Sequence, residues 1–199
     1  MENKEHTKFV DKVVEALKKS AVEIEEFQVQ AALGKAEAQD KYEEAKKKFN
    51  LFIHESKSKI NAGKEKIDDI NAKFDELRVQ LALGKAETKE AFNKQKKELL
   101  STLHELEVKI KTNDRLNRMY ALVLIEIEKF KMHLEVLEEK FEEGKTEAKA
   151  SFEKGKQEFN DYIEKMKAKY AKKEETKWEH FQTEVSQAFN HLKLAFAKP

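Results

Sequence analysis

Apolar residues return along nearly the whole chain at alternating steps of three and four, the period of a helix that packs along one stripe. The first stretch reads Val10, Val13, Leu17, Ser20, Ile24, Phe27, Ala31, Gly34, Ala38, Tyr42, Ala45, Phe49, Phe52. The second runs from Ile67 through Phe74, Leu81, Gly84, Thr88, Phe92 and Leu103 to Ile110. The third runs from Leu116 through Val123, Phe130, Leu137, Gly144, Phe152, Phe159 and Met166 to Tyr170. A last stretch reads Trp178, Phe181, Val185, Phe189, Leu192, Phe196. Alternation of period two is absent from the sequence, so no strand is expected.

Each of the three long stripes contains a copy of one motif, Gly-Lys-Ala/Thr-Glu-Ala/Thr followed by an aromatic eight residues after the glycine. The copies are centred on Gly34, Gly84 and Gly144, with Tyr42, Phe92 and Phe152 as the aromatics. Two other places combine residues of poor helix propensity, Asn61-Ala-Gly63 and Thr112-Asn-Asp114, and Thr176 offers an N-cap for a last helix. The residue midway between Gly34 and Gly84 is 59, and the one midway between Gly84 and Gly144 is Asp114. Helices that fold at those places set the glycines level with one another.

The pattern therefore predicts an all-α fold, an elongated antiparallel helical bundle or coiled coil built from three internal repeats and forming a single domain over residues 1–199. It contains three long helices, roughly 5–60, 64–112 and 115–172, plus a shorter C-terminal helix over about 176–198. In this register small residues on the stripe let three helix axes approach at one level. Folding near residue 173 brings Trp178 to Tyr170, Phe181 to Met166 and Phe189 to Phe159. A competing register places the turns at Gly34, Gly84 and Gly144 themselves. The aromatic stripe supplies most of the stability, so Phe→Ala at Phe74 or Phe141 is expected to cost ~3–5 kcal/mol in a well-packed site.

Composition agrees with long helices. The 199 residues include a single proline, Pro199, and five glycines. Charged residues make up 40%, with 40 Lys+Arg against 39 Asp+Glu, so the net charge of +1 lacks the basic excess of a nucleic-acid binder. No cysteine is present, which removes disulfides, thiolate metal sites and cysteine nucleophiles. The first residues have no basic, then apolar, signal-peptide pattern, and the densest apolar run, Met119–Ile125, is far too short to span a bilayer. A cytoplasmic protein is expected.

Candidate chemistry is sparse. A di-metal carboxylate bundle needs inward glutamates and Glu-x-x-His steps. The stripes carry no acidic residue, and His6, His54, His104, His133, His180 and His191 all lie off them, as expected of solvated or boundary histidines. Gly144-Lys-Thr146 lacks the upstream glycine of a phosphate loop, since position 139 is Glu139, and no strand precedes it. The runs Lys46–Lys48, Lys94–Lys97 and Lys165–Lys173 are mixed with glutamates and read as solvated faces. Glu43–Lys47, Glu44–Lys48 and Glu90–Lys94 are spaced as helical ion pairs worth a few tenths of a kcal/mol each.

The segment 119–137 differs from the rest. Beside the main stripe it carries a second apolar face of Leu122, Ile125, Met132 and Val136, an expected surface for a homodimer. The repeats of Lys, Glu, Ala and Gly resemble late-embryogenesis-abundant and apolipoprotein-like helical proteins in composition alone, and that resemblance implies no site. The expectation is thus a non-enzymatic structural or protein-interaction (scaffold or spacer) protein with no catalytic, metal or cofactor site. Its partner is another protein or its own copy, and no nucleic acid. The alternative is a membrane-surface or lipid-associated amphipathic helical protein.

Overall fold

The computed structural model describes residues 2–31, 34–62, 67–111, 117–141, 148–171 and 178–196. They form seven helices: α1 (Glu2–Ala31), α2 (Lys35–Ala62), α3 (Asp68–Leu81), α4 (Lys89–Lys111), α5 (Asn117–Phe141), α6 (Ala148–Ala171) and α7 (Trp178–Phe196). No strand occurs among the described residues, and the fold is all-α. The stripes hold as burial patterns. In α1 and α2, Val10, Val13, Leu17, Ser20, Ile24, Phe27, Ala31, Ala38, Tyr42, Ala45 and Phe49 are buried, as are Ile70, Phe74, Leu77 and Leu81 in α3.

The three long helices are not continuous. The first expected helix is broken between Ala31 and Lys35, and the second between Leu81 and Lys89. The register that ran the helices straight through Gly34 and Gly84 is therefore overturned. The third gives α5 and α6, and Gly144 lies outside the described residues, as do Gly63, the Thr112–Asp114 segment and Thr176.

Two different causes produce the two observed breaks. Gly34 has φ +156°, a conformation L side chains rarely adopt, and its carbonyl accepts the Ala38 N–H at 2.9 Å, so it opens α2 as an N-cap. At the second break the decisive residue is Thr88. Its Oγ1 accepts the Ala91 N–H at 3.1 Å, and its carbonyl accepts the Phe92 N–H at 3.0 Å, so α4 starts at the next residue. The corresponding position of the first repeat is Ala38, which has no oxygen to cap with. The same Gly-Lys-Ala-Glu sequence is consequently helical at 35–37 and irregular at 84–87. Gly84 and Thr88 are exposed, and Ala86 takes the buried place instead.

The carbonyls left open past the end of α3 find side chains from its neighbours. Lys46 Nζ donates to the Leu83 carbonyl at 2.7 Å, Gln95 Nε2 to the Gly84 carbonyl at 3.0 Å, and Gln39 Nε2 to the Glu87 carbonyl at 3.1 Å. Lys46 is only 1% exposed. It also pairs with Glu43 at 2.7 Å and lies 4.7 Å from the centre of the Tyr42 ring.

Cross-helix pairs fix the directions. α2 and α3 run antiparallel through Lys57–Asp75 and Lys46–Leu83, α3 and α4 through Lys73–Glu105 and Gln80–Thr102, and α4 and α5 through Lys96–Glu138 and Glu107–Lys131. Phe49 of α2 stacks on Phe130 of α5 at 4.4 Å, so α2, α3, α4 and α5 touch in a closed cycle. A second cycle uses α5 again, with α1, α6 and α7. There α1 runs parallel to α5 (Glu23–Lys129, Phe27–His133) and antiparallel to α6 (Asp11–Lys167, Lys18–Glu164). α6 and α7 form a hairpin in which Phe159 and Phe189 meet at 5.9 Å, the pairing that a fold near residue 173 requires. Lys193–Glu135 joins α7 to α5.

Sharing α5 between two cycles accounts for the second apolar face. Ile125, Met132 and Val136 are buried beside Val123, Ile127, Phe130, Leu134 and Leu137 within this one chain, and only Leu122 keeps 40% exposure. The expected homodimer face is thus largely an internal surface. A helix apolar on most of its circumference is one enclosed by neighbours.

The two glycines predict opposite outcomes for one substitution. A Cβ on Gly34 meets Glu37 Oε2 at 2.7 Å in an already unfavourable backbone conformation, whereas one on Gly84 meets nothing within 4 Å. Chemical denaturation at low micromolar concentration is expected to show Gly34→Ala losing ~1–3 kcal/mol and Gly84→Ala staying within ~0.5 kcal/mol of the parent. Equal losses at the two positions contradict this assignment.

Candidate functional site

The seam between the two helix cycles, where α1, α2 and α5 meet, holds a cleft of about 460 Å³. Its inner wall is aromatic. Phe27 stacks on His133 at 4.1 Å, and Phe49 on Phe130 at 4.4 Å with planes only 3° apart. Its rim is charged, with Glu23 and Glu26 from α1, Lys41, Glu44 and Lys48 from α2, and Glu126 and Lys129 from α5. Helical spacing places most of these groups: Glu23 precedes Phe27 by one turn, and Lys129 and Glu126 precede His133 by one and two turns.

Most of the rim is already paired. Lys129 lies 2.6 Å from Glu23 and 2.7 Å from Glu126. Burial works against the Glu23 carboxylate, yet the hydrogen bond and charge of Lys129 outweigh it and hold the group below its ordinary range. Burial likewise works against the Lys129 ammonium, and Glu126 and Glu23 more than offset it, so its pKa lies above the usual lysine value. Glu44 accepts from Lys41 at 2.5 Å and lies 2.7 Å from Lys48, hydrogen bonds that take its pKa down to about 2.

His133 is the exception on this wall. Its Nε2 is buried and has no hydrogen-bond partner among the described residues. Removal from water, reinforced by the charge of Lys129, pushes the imidazole down to about 3, so the ring is neutral across the physiological range. A stacked neutral imidazole beside filled ion pairs offers one N–H donor and one acceptor nitrogen, and is not a base poised near neutrality.

A second titratable cluster lies between α4 and α5. Lys131 Nζ is 2.7 Å from both oxygens of the buried Glu107 and 3.5 Å from Glu128. Burial, with the neighbouring Glu107 charge, pushes the Glu128 carboxyl up to about 7 against the opposing pull of Lys131. Lys131 cannot neutralise both acids equally, and Glu107 holds it more closely. Among the described residues no group of three metal-binding side chains occurs.

Sequence spacing located some of these residues wrongly. Lys46 and Lys96 stand in runs read as solvated faces, yet both are buried, Lys46 against the end of α3 and Lys96 against Glu138 of α5. The signal was available: Lys46 follows Tyr42 by four and precedes Phe49 by three, which puts it on the stripe. Lys165 and Lys169 are exposed as expected, and Lys172–Lys173 lie outside the described residues. Glu44–Lys48 forms as spaced, whereas Glu43 pairs with Lys46. His54 and His104 are exposed, and His191 lies 3.8 Å from Glu158. The side chains of His6 and His180 lie outside the described residues. His133 is the boundary case among them, half-buried because it falls beside the wide apolar face of α5, three residues after Phe130 and four before Leu137.

No protein-family model matches the sequence, and no curated protein or solved structure matches it either. No described helix is long and apolar enough to cross a membrane.

The displaced pKa values of His133 and Glu128 give opposite pH dependences. The folded pKa of His133 lies below the ordinary 6.5, so its contribution is complete above about 6.5 and is lost as pH falls toward 3. His133→Phe is expected to flatten that acid-side loss, which otherwise approaches ~1.4 kcal/mol per pH unit. The folded pKa of Glu128 lies above the ordinary 4.5, so its contribution is complete below about 4.5 and is lost as pH rises through about 7. Glu128→Gln is expected to raise the melting temperature at pH 8 relative to the parent. Between pH 4.5 and 6.5 the two slopes oppose each other, so denaturation series on the separate variants are the measurement that resolves them.

Proposed function

We propose that this chain is a non-enzymatic structural or protein-interaction protein, an antiparallel helical bundle that spaces or scaffolds its partners. Two of the sequence repeats, those centred on Gly34 and Gly84, coincide with breaks between helices, which supports a chain built by repeated reversal. The observation that carries this reading is the enclosure of α5. Its apolar circumference is spent on α1, α2, α4 and α7, which turns the longest apolar surface in the sequence into a shared internal strut. Ion pairs between helices far apart in sequence, such as Lys18–Glu164 and Lys167–Asp11, support the same reading, because they set one helix against another along the outside. Individually such surface pairs add little to stability. Repeated along α1, they define which helix lies beside it.

A spacer keeps its apolar stripes packed in the presence of lipid, whereas a membrane-surface protein opens them. Cooperative thermal unfolding whose midpoint is unchanged by vesicles containing anionic lipid is the expected outcome, read by circular dichroism and by flotation. A vesicle-dependent gain of helix together with co-flotation would overturn the proposal in favour of the lipid-associated alternative.

A further inference from the structure

We propose that residues 82–88 are a hinge, and that two copies of this chain exchange halves by converting α3, the hinge and α4 into one continuous helix. Three observations converge on that segment. First, the hinge is built from a sequence that is helical elsewhere in the same chain: Gly-Lys-Ala-Glu occupies 34–37 with Lys35–Glu37 in α2, and 84–87 without helix. Second, the apolar stripe keeps its three-four step across the break, from Leu77 and Leu81 through Gly84 and Thr88 to Phe92. A continuous helix therefore presents the buried residues of α3 and α4 on one face. Third, the backbone of the hinge is not committed to its turn. Gly84 has no positive φ, and a Cβ there meets nothing within 4 Å, in contrast to Gly34 with φ +156°.

What keeps the hairpin closed is a small set of polar contacts. Thr88 caps α4 through the Ala91 N–H, and the side chains of Lys46, Gln95 and Gln39 hold the carbonyls of Leu83, Gly84 and Glu87. Opening one chain alone would strip α1, α2 and α3 from α4, α5 and α6. A second copy restores each of those contacts, because it offers the same surfaces to the exchanged half. The balance between the closed monomer and the exchanged dimer is then set by the hinge contacts and by concentration, the ordinary condition for domain swapping. The proposed partner is thus another copy of this chain, and the interface is the interior already described.

The test uses variants of the hinge and a distance that only exchange changes. Thr88→Ala removes the cap that favours the closed form, an effect on the order of fivefold per chain and so roughly 25-fold for a dimer that opens two hinges. Gly84→Ala adds helix propensity without steric cost and serves alone should Thr88→Ala fail to fold. Each protein is refolded at several hundred micromolar and separated by sedimentation. Spin labels are placed through Val79→Cys and His104→Cys, both exposed positions in a chain without cysteine. Doubly labelled chains are refolded with an excess of unlabelled ones, so that only distances within one chain are read.

The expected result is a dimer fraction that rises in the variants and in which the two labels lie about 38 Å apart, 25 residues at ~1.5 Å each. The closed hairpin keeps them under about 20 Å, roughly one interhelical spacing plus one helical turn. Two results overturn the proposal: monomers throughout at these concentrations, or dimers that retain the short distance and so associate without opening.

Discussion

The fold depends on the enclosure of one helix. α5 meets α1, α2, α4 and α7, and through them it closes two cycles of four helices. Its residues Val123, Leu124, Ile125, Ile127, Phe130, Met132, Leu134, Val136 and Leu137 are all buried, although they point in several directions around the helix. This arrangement of neighbours removes the apolar surface of α5 from water, and burial of apolar area is the dominant favourable term in folding. The polar residues of α5 follow the same constraint. Glu128, Lys129, Lys131 and His133 lie between apolar positions, so each is drawn partly inward and either finds a partner or stays neutral. The displaced ionisation of Glu128 and His133 is a by-product of enclosing the helix that carries them.

Helical class and the buried face of each element were legible in the sequence, because both depend on local periodicity. Val10 through Phe49 and Ile70 through Leu81 are buried where the three-four step places them. Chain reversal was not legible from periodicity, because a stripe can stay in step through a turn. At Gly34 the break rests on a backbone dihedral, and at Gly84 it rests on the hydroxyl of Thr88. The substitution of Thr88 for Ala38 between the two repeats was visible, and its capping chemistry was the clue to where α4 begins. The Phe159–Phe189 contact follows from the C-terminal stripes because the α6–α7 hairpin is local.

The seam cleft and the Glu107–Glu128–Lys131 cluster were legible only in part. Their residues belong to α1, α2, α4 and α5, and the contacts join different helices, in the cleft as far as 106 residues apart for Glu23 and Lys129. No helical period reports such a meeting. The second apolar face of 119–137 did report that α5 has more than one neighbour. Read as an external surface it implied a partner chain, and in the structure the neighbours come from the same chain. The buried Lys46 carries a similar lesson. A lysine on the stripe is costly unless its ammonium meets oxygens, and the open carbonyls beyond α3 supply them.

The placement of α1 has a consequence for the order of assembly. Its main neighbours, α5 and α6, are made more than eighty residues later in the chain. As the polypeptide emerges from a ribosome, α2 through α5 can close their cycle before α6 exists, while the aromatic and aliphatic face of α1 waits. The residues of α1 therefore reach their contacts with α6 only after α2 through α5 have been made. Closing the chain across that separation carries a loop-entropy cost that forming the helix itself does not.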